Sequence, residues 1–239
     1  MSKFYVVATP IGNMEDITYR AVKVLGEVDL ILCEDTRVTR NLLSRYAIAT
    51  ATMSYHTQSK LSKIDDIIEM LRQGKNIALV SDAGTPTISD PGYLLIAGIR
   101  EQLPEVEVVA VPGASAVISA LSISGIPSAD FTFLGFIPHK KGRQTLFKEI
   151  ASSERTMIFY ESPHRIMKTL ESLKEFLPVN KRVVVARELT KMFEQVVRGS
   201  AEEVLKYFED NKDKVRGEFV VLVSPEGKVL ETEEEVEEN

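Results

Sequence analysis

The sequence predicts an α/β protein of two domains. Short apolar runs alternate with amphipathic stretches along most of the 239 residues. This length fits one large domain or two small ones that each bury a core. After about residue 130 the rhythm changes, and strand-like runs follow one another more closely. We therefore predict an N-terminal α/β domain with a mostly parallel sheet over residues 1–112 and a C-terminal α/β domain with a mixed sheet over residues 113–230.

The predicted elements follow from apolar spacing and turn residues. In the first domain Asp16 or Thr18 can cap a helix, and the continuous apolar run 77–81 is typical of a buried parallel strand. In the second domain, two strands near 183–198 with a short connection indicate antiparallel pairing, and Pro163 is expected near the first position of its helix. The predicted strands are 4–8, 30–33, 77–81, 106–111, 131–136, 156–160, 182–186, 195–198 and 218–223. The predicted helices include 36–46, 61–72, 144–152, 163–176 and 201–209, with an Ala/Ser-rich helix after Gly113.

The net negative charge of the sequence excludes a nucleic-acid-binding protein that is basic over its whole surface. Lys and Arg number 29 against 35 Asp and Glu, and six of the acids lie in residues 231–239. This tail is expected to be a solvated, disordered end. Residues 113–230 hold 18 bases and 15 acids, so any contact with RNA must come from local patches in this more basic half.

Other sequence features limit the class of protein further. The single Cys33 excludes a disulfide framework and is compatible with a reducing cytoplasm. The uncharged stretch 108–129 is interrupted by proline and glycine, so we predict strand, turn and helix there rather than a membrane span. The first residues lack the apolar core of a signal peptide, and three scattered histidines give no zinc spacing, so no metal is expected.

Four polar turns follow strand-like runs of the first domain. Because the carboxyl ends of parallel strands lie along one edge of a sheet, we expect these turns to converge on one ligand site. None matches a dinucleotide-binding or P-loop motif. Taken singly, each turn could carry its Gly, Pro, Asp and Ser for structural reasons alone, whereas the four together favour a cleft. The turns are Thr9–Asn13, Glu34–Arg37, Ser81–Pro86 and Val111–Ser115.

Three basic segments of the second domain follow predicted strands. Cations around a glycine suit phosphate groups, although each segment alone is more often a solvated loop. Together they favour an anionic substrate surface. With Arg37 of the first domain, the predicted RNA-binding residues are His139, Lys140, Lys141, Arg143, His164, Arg165, Arg187 and Lys191.

The ordered motifs resemble a known family. The segments CEDTRVTRNLLSRY, SDAGTPTISDPG, VPGASA, GFIPHKKGR, FYESPHRI, ARELTK and GEFVVLV are similar, in register from Lys3 to Val223, to the bacterial 16S rRNA (cytidine-2′-O)-methyltransferases of the tetrapyrrole-methylase superfamily. The resemblance implies two α/β domains with S-adenosylmethionine in the cleft between them. It also implies a homodimer that acts in the cytoplasm on a cytidine in the decoding region of small-subunit RNA.

The resemblance assigns cofactor positions residue by residue. The family's Gly-Asp-Pro motif corresponds here to Ser81-Asp82-Ala83, and its glycine-rich first loop is replaced by residues 8–12. Both departures argue against a porphyrin-like substrate. The implied cofactor contacts are Pro10, Ile11, Asp82, Ala83, Thr85, Ser115, Ala116, Tyr160 and Ala186.

Methyl transfer to a ribose hydroxyl would benefit from a general base, because the hydroxyl is a poor nucleophile until its proton leaves. The candidates at predicted strand ends are Asp35, Glu34, Glu161 and Glu188, with His164 a weaker one. The alternatives are ion pairing of Glu34 and Asp35 with Arg37 or Arg40, and of Glu188 with Arg187 or Lys191. Two other functions stay open: a methyltransferase for a tetrapyrrole or other small molecule, and a non-catalytic RNA-binding protein of ribosome assembly.

Overall fold

The computed structural model describes residues 2–56, 61–90 and 92–225. The chain divides into two compact units, Met1–Ser115 and the part that begins at Ala116. The acidic tail 231–239 lies outside the described residues. No described helix has both the length and the apolar character needed to cross a membrane.

The first unit contains a five-stranded sheet in the order β3-β2-β4-β1-β5, in which every neighbouring pair is parallel. The sheet is therefore wholly rather than mostly parallel. Its strands are β1 (Lys3–Val7), β2 (Leu30–Cys33), β3 (Thr52–Ser54), β4 (Ile77–Leu79) and β5 (Glu107–Val111). Its helices are α1 (Tyr19–Glu27), α2 (Thr36–Arg45), α3 (Leu61–Arg72) and α4 (Tyr93–Gln102), with a 3-10 turn at Met14–Asp16.

Both faces of this sheet are buried, which explains the continuous apolar runs. Successive side chains of a strand point to opposite faces. Ile77 and Leu79 accordingly join one apolar cluster with Phe4, while Ala78 joins the other with Ile31. A strand covered on both faces has no polar face to alternate with.

The second unit contains a mixed sheet in the order β6-β7-β10-β8-β9. Strands β6 and β7 are parallel, whereas β10 is antiparallel to β7 and β8, and β9 is antiparallel to β8, as predicted. The strands are β6 (Phe131–Phe136), β7 (Thr156–Glu161), β8 (Val183–Arg187), β9 (Gln195–Gly199) and β10 (Phe219–Val223). The helices are α5 (Ala116–Ser124), α6 (Arg143–Ser152), α7 (Ile166–Phe176) and α8 (Ala201–Asp210), with a 3-10 turn at Lys212–Lys214.

Helix beginnings show which capping residues act. Thr18 caps α1 by accepting a hydrogen bond from the Ala21 amide at 3.0 Å, so the cap is Thr18 and not Asp16. The placement of Pro163 at the first position of α7 was wrong. The Ser162 carbonyl accepts from the amides of both Arg165 and Ile166, so a turn precedes the helix and Arg165 is its N-cap.

Candidate active site and basic surface

The turns that follow β1, β4 and β5 meet at one edge of the first sheet, as predicted. Thr9 and Gly84 exchange both backbone hydrogen bonds, at 2.9 and 3.0 Å. The Thr85 hydroxyl donates to the Ala114 carbonyl at 3.2 Å, which joins the turn after β4 to the turn after β5. Gly84 has a φ of +84°, a conformation that glycine adopts without strain.

The turn after β2 reaches the same edge. The Asp35 amide donates to Asp82 Oδ1 at 3.1 Å. On the other side, a Cβ at position 113 would lie 2.9 Å from the Ala8 Cβ, so glycine there permits close approach of the β5 turn to the end of β1. All four turns singled out from the sequence are thus joined at this edge.

A group of carboxylates occupies this edge. The pKa of Glu34 is raised to about 7, first by burial and then by the negative charges of Asp90 and Asp82, while a hydrogen bond from the Asp82 amide opposes the shift. Burial also raises the pKa of Asp90, although a hydrogen bond from Ser81 opposes the shift. The Glu34 and Asp90 carboxyl groups interact with each other, and each contributes to the pKa shift of the other. Sequence reasoning missed Asp90 as a site residue, although it lies within the segment SDAGTPTISDPG, because nothing in that segment marks it as a neighbour of Glu34.

The Asp35 carboxylate is engaged in a helix cap and an ion pair. Its carboxylate caps α2 by accepting from the Arg37 amide at 2.8 Å, and it forms an ion pair with the Arg37 guanidinium at 2.6 Å. Side-chain and then backbone hydrogen bonds from Arg37 lower the pKa of Asp35 to about 2. The ion-pair alternative is confirmed with Arg37 as partner, and a carboxylate this acidic is a weak base.

The predicted cofactor residues of the first unit line the same edge with different exposure. Pro10 and Ile11 are buried, Asp82 and Ala83 are exposed, and Thr85 and Ser115 are half-buried. The remaining predicted cofactor residues belong to the second unit. Ala116 opens α5, the Tyr160 ring packs edge-on against Phe133 and Phe136, and the Ala186 side chain is fully buried within the sheet, where it presents no surface to a ligand.

Glu161 is a buried anchor and not an accessible base. One carboxylate oxygen accepts from the Ser162 amide at 2.7 Å and pairs with Arg165 at 2.8 Å. The other accepts from the Thr169 hydroxyl at 2.7 Å, and Thr169 in turn accepts from Arg143 at 2.9 Å. The Glu161 side chain has no exposed surface, so its assignment as a catalytic candidate is not supported.

Two predicted RNA contacts belong to the same buried network. Arg143 is only 8% exposed, lies over the Phe147 ring at 4.9 Å and donates to the Pro138 carbonyl at 3.4 Å. Arg165 donates to the Ile137 carbonyl at 2.7 Å. The assignment of Arg143 to RNA was wrong, and that of Arg165 is weakened, because both guanidinium groups bind backbone carbonyls ahead of α6.

Exposed lysines and histidines lie near this buried network of Glu161, Arg143 and Arg165. His139, Lys140 and Lys141 are exposed in the loop between β6 and α6, and His164 is exposed in the turn before α7. We refer to residues 138–142 as the β6–α6 loop. Its exposed side chains, and not the arginines beneath them, are available to an anionic ligand.

At the end of β8, too, an arginine is buried and binds backbone carbonyls. Arg187 is 2% exposed and donates to the carbonyls of Arg216 and Phe193 at 2.8 and 3.2 Å, so its assignment to RNA was wrong. Burial raises the pKa of Glu188, but hydrogen bonds from Lys191 and the Glu218 amide outweigh it and leave that pKa lowered. Lys191 bridges Glu188 at 3.0 Å and Glu218 at 2.8 Å, which confirms the pairing alternative and weakens Lys191 as an RNA contact.

Among the described residues, no group of three or more His, Cys, Asp or Glu side chains could hold a metal ion. The groups present at the edge are carboxylates, backbone groups and hydroxyls. These suit a ribose, an adenine and a positively charged group.

Comparison with known proteins identifies the class. The family model described as Tetrapyrrole (Corrin/Porphyrin) Methylases matches residues 3–205. The chain therefore belongs to this family of methyltransferases, as the motifs predicted. It is 44% identical to a protein of Thermotoga maritima over 94% of this chain and 99% of that one, and this relative is named Ribosomal RNA small subunit methyltransferase I. Other relatives that are 43–47% identical carry the same name.

Solved structures confirm the fold. The methyltransferase CobJ has a TM-score of 0.68 at 20% identity, with 96% of this chain and 97% of that chain covered. A uroporphyrin-III C-methyltransferase from Thermus thermophilus, complexed with S-adenosyl homocysteine, has a TM-score of 0.61 at 17% identity, with 93% and 97% covered. At these identities the likeness extends to the fold alone.

Proposed function

We propose that the protein is an S-adenosylmethionine-dependent methyltransferase of small-subunit ribosomal RNA. The finer target we propose is the 2′-hydroxyl of a cytidine in the decoding region. The observation that carries the proposal is the identity of 43–47%, over nearly the whole chain, to proteins named for methylation of this RNA. The exposed cations of the second unit support an RNA substrate over an uncharged small molecule.

The strand-end edge of the first unit fits the cofactor. S-adenosylmethionine supplies a methyl group on a positively charged sulfonium, and carboxylates nearby stabilise a positive charge. The exposed Asp82 carboxylate can accept from ribose hydroxyls, and the backbone of Ala83 can bind adenine. The half-buried Thr85 and Ser115 complete this set. A neighbour of the same fold is described as complexed with S-adenosyl homocysteine, which supports this choice of cofactor.

Glu34 is the best-placed proton acceptor among the four acidic candidates. A base works best when its pKa lies near the operating pH, and the pKa of Glu34 is about 7. Asp35 is too acidic at about 2, and both oxygens of the Glu161 carboxylate already accept hydrogen bonds. Glu188 is paired with Lys191. We therefore assign removal of the hydroxyl proton to Glu34, whose pKa is held high by burial and then by the charge of Asp90.

RNA binding is assigned to exposed side chains. Lys140, Lys141 and His139 of the β6–α6 loop supply charge to phosphates, with His164 in the turn before α7. Arg37 of the first unit is 86% exposed but pairs with Asp35 at 2.6 Å, so we propose it only as a weaker contact. We also propose that the protein acts as a homodimer in the cytoplasm, which sedimentation and cell fractionation would test.

The test is methylation of a defined substrate. Small ribosomal subunits from a strain that lacks the corresponding gene are incubated with the protein and labelled cofactor, and ribose methylation is mapped along the RNA. The proposal expects label at one cytidine 2′-oxygen in the decoding region. Label in a precorrin and none in RNA would support the small-molecule alternative, and no cofactor binding at all would support the non-catalytic one.

A further inference from the structure

The loop between β8 and β9, residues 188–194, exposes two large apolar side chains at its tip. Met192 is 90% exposed and Phe193 is 57% exposed. Lone exposed apolar residues are common on protein surfaces and need no explanation. Here the exposed Phe193 ring contacts the exposed side chain of Arg216. We call this pair the Phe193–Arg216 platform.

A guanidinium already covers one side of the ring. The Arg216 Cζ lies 5.8 Å from the Phe193 ring centroid, within the range of a cation–π contact. Arg216 is itself exposed and comes from the segment that leads into β10. Two planar groups from distant parts of the sequence thus form one surface patch.

The platform is held from beneath by one buried side chain. Arg187 donates from Nε to the Arg216 carbonyl at 2.8 Å and from Nη1 to the Phe193 carbonyl at 3.2 Å. A single buried fork of donors therefore fixes the backbone of both members. Arg187, predicted from the sequence to bind RNA, acts as a positioning residue for the two residues above it.

Hydrogen bonds within the loop also fix the backbone of residues 188–194. Glu188 and Thr190 have φ values of +51° and +64°, which non-glycine residues adopt only when their surroundings enforce it. The Glu194 carboxylate accepts from the Thr190 amide at 2.6 Å, and the Lys191 amide donates to the Glu188 carbonyl at 3.0 Å. Such a loop presents its tip in one orientation, which lowers the entropy cost of binding.

We propose that the Phe193–Arg216 platform stacks on an unpaired nucleobase of the RNA substrate. The inference rests on the proposed function and deepens it by naming a contact to a base. Single-stranded RNA is recognised through bases that stack on aromatic rings and arginine planes. The charge of Lys191 is taken up by Glu188 and Glu218, so within the loop itself stacking on the Phe193 ring, and not attraction of phosphate to Lys191, supplies the affinity.

The chain contains no tryptophan, which makes a direct test possible. A Phe193→Trp variant carries one indole, whose fluorescence is quenched when a base stacks on it. The probes are a single-stranded RNA oligonucleotide and, at matched phosphate concentration, inorganic polyphosphate. Tyr19→Trp is the matched control, because Tyr19 is a 98% exposed aromatic residue of α1.

The platform predicts that RNA quenches the Phe193→Trp variant while polyphosphate does not, and that neither quenches the Tyr19→Trp control. Phe193→Ala should weaken RNA binding about tenfold, with an unchanged salt slope and unchanged cofactor affinity. Phe193→Tyr should bind like the unsubstituted protein. Equal binding by Phe193→Ala, or no quenching at RNA concentrations that saturate the protein by anisotropy, overturns the proposal.

Three further outcomes are distinguishable. If Phe193→Ala changes the sedimentation coefficient but leaves RNA affinity intact, the tip is a contact between copies of the chain and the platform is refuted. If the unsubstituted protein transfers no methyl group to small-subunit RNA, the proposed function fails. If it does transfer methyl groups and the quenching is absent, only the platform fails.

Discussion

Charged residues follow strands in both units, yet burial gives them different roles. At the strand-end edge of the first unit, Glu34, Asp82 and Asp90 crowd together, and burial raises the pKa values of Glu34 and Asp90. In the second unit, Glu161 and Arg187 are buried and hydrogen-bonded to their surroundings. The first arrangement raises carboxyl pKa values, as the proposed proton transfer to Glu34 requires, whereas the second uses buried charge to hold loops in place.

The contrast also indicates which cations can reach a ligand. Arginine offers a fork of several donors that can satisfy backbone carbonyls when buried, whereas lysine carries a compact charge that is strongly hydrated. In the second unit Arg143 and Arg187 are buried, and Lys140 and Lys141 are exposed. Residue type alone does not decide, since Arg216 is exposed and Lys181 is buried, where it donates to two backbone carbonyls. A basic motif is therefore a mixture of scaffold and contact residues.

Catalysis at the first region should show the greatest change. Glu34→Gln removes the proposed base and should lower kcat by roughly 10²–10⁴-fold while cofactor affinity persists. In the unsubstituted enzyme kcat should rise as pH increases through about 7, because the raised pKa of Glu34 leaves the carboxyl protonated below that pH. A pH–rate profile in single-turnover assays checks both points, and a flat profile between pH 6 and 8 would remove Glu34 from this role.

The second effect is on stability at the other region. Glu161→Ala leaves the largely buried Arg165 without its partner, so we expect a loss of about 3–5 kcal/mol in the free energy of unfolding. Asp35→Asn is the control, since asparagine also caps helices and the Asp35–Arg37 pair is exposed on the arginine side. Urea titration measures both variants. Similar small losses for the two would contradict the anchoring role of Glu161.

A smaller effect separates scaffold residues from those that bind RNA. The double substitution Lys140→Ala and Lys141→Ala should weaken RNA binding about tenfold and reduce the salt slope by roughly 0.7 for each phosphate that is no longer neutralised. The exposed Lys23 of α1 supplies the control, and Lys23→Ala should leave the slope unchanged. Fluorescence anisotropy at several salt concentrations gives the slopes, and identical slopes for both variants would exclude the β6–α6 loop as a phosphate-binding segment.

The smallest effect is on the pH dependence of stability at the first region. A carboxyl whose pKa is raised on folding is protonated more readily in the native state, so its contribution falls as pH rises from about 4.5 to about 7. Glu34→Gln should therefore stabilise the protein at pH 8 by on the order of 1 kcal/mol, after allowance for partial exposure. At pH 4 the two proteins should unfold alike. Thermal unfolding of both proteins at pH 4 and pH 8 measures the difference. Stabilisation at pH 4 alone would contradict the raised pKa of Glu34.

Topology was easier to predict than burial. The convergence of four turns follows from the parallel sheet, which apolar periodicity indicates directly. Strand β3 was not predicted, since Thr52–Ser54 has only three residues, two of them polar, and is half-buried. Helix α4 was also missed, because it begins after Gly92 without a side-chain cap and places Leu94 outside and Leu95 inside.

Residue roles at the site depended on contacts that spacing does not reveal. Nothing in the segment that contains PHKKGR distinguishes the buried Arg143 from the exposed Lys141, because the difference arises from Thr169 and Glu161 elsewhere in the chain. Asp90 gains its importance only through proximity to Glu34.

We propose that the two regions bind different ligands: S-adenosylmethionine binds at the strand-end edge of the first unit, and RNA binds at the β6–α6 loop. Calorimetry of cofactor binding tests this division in a single assay. Asp82→Ala should abolish cofactor binding by a protein that still unfolds cooperatively, and the Lys140→Ala and Lys141→Ala double variant should bind the cofactor like the unsubstituted chain. Unchanged cofactor affinity in folded Asp82→Ala would contradict the assignment of the cofactor to this edge.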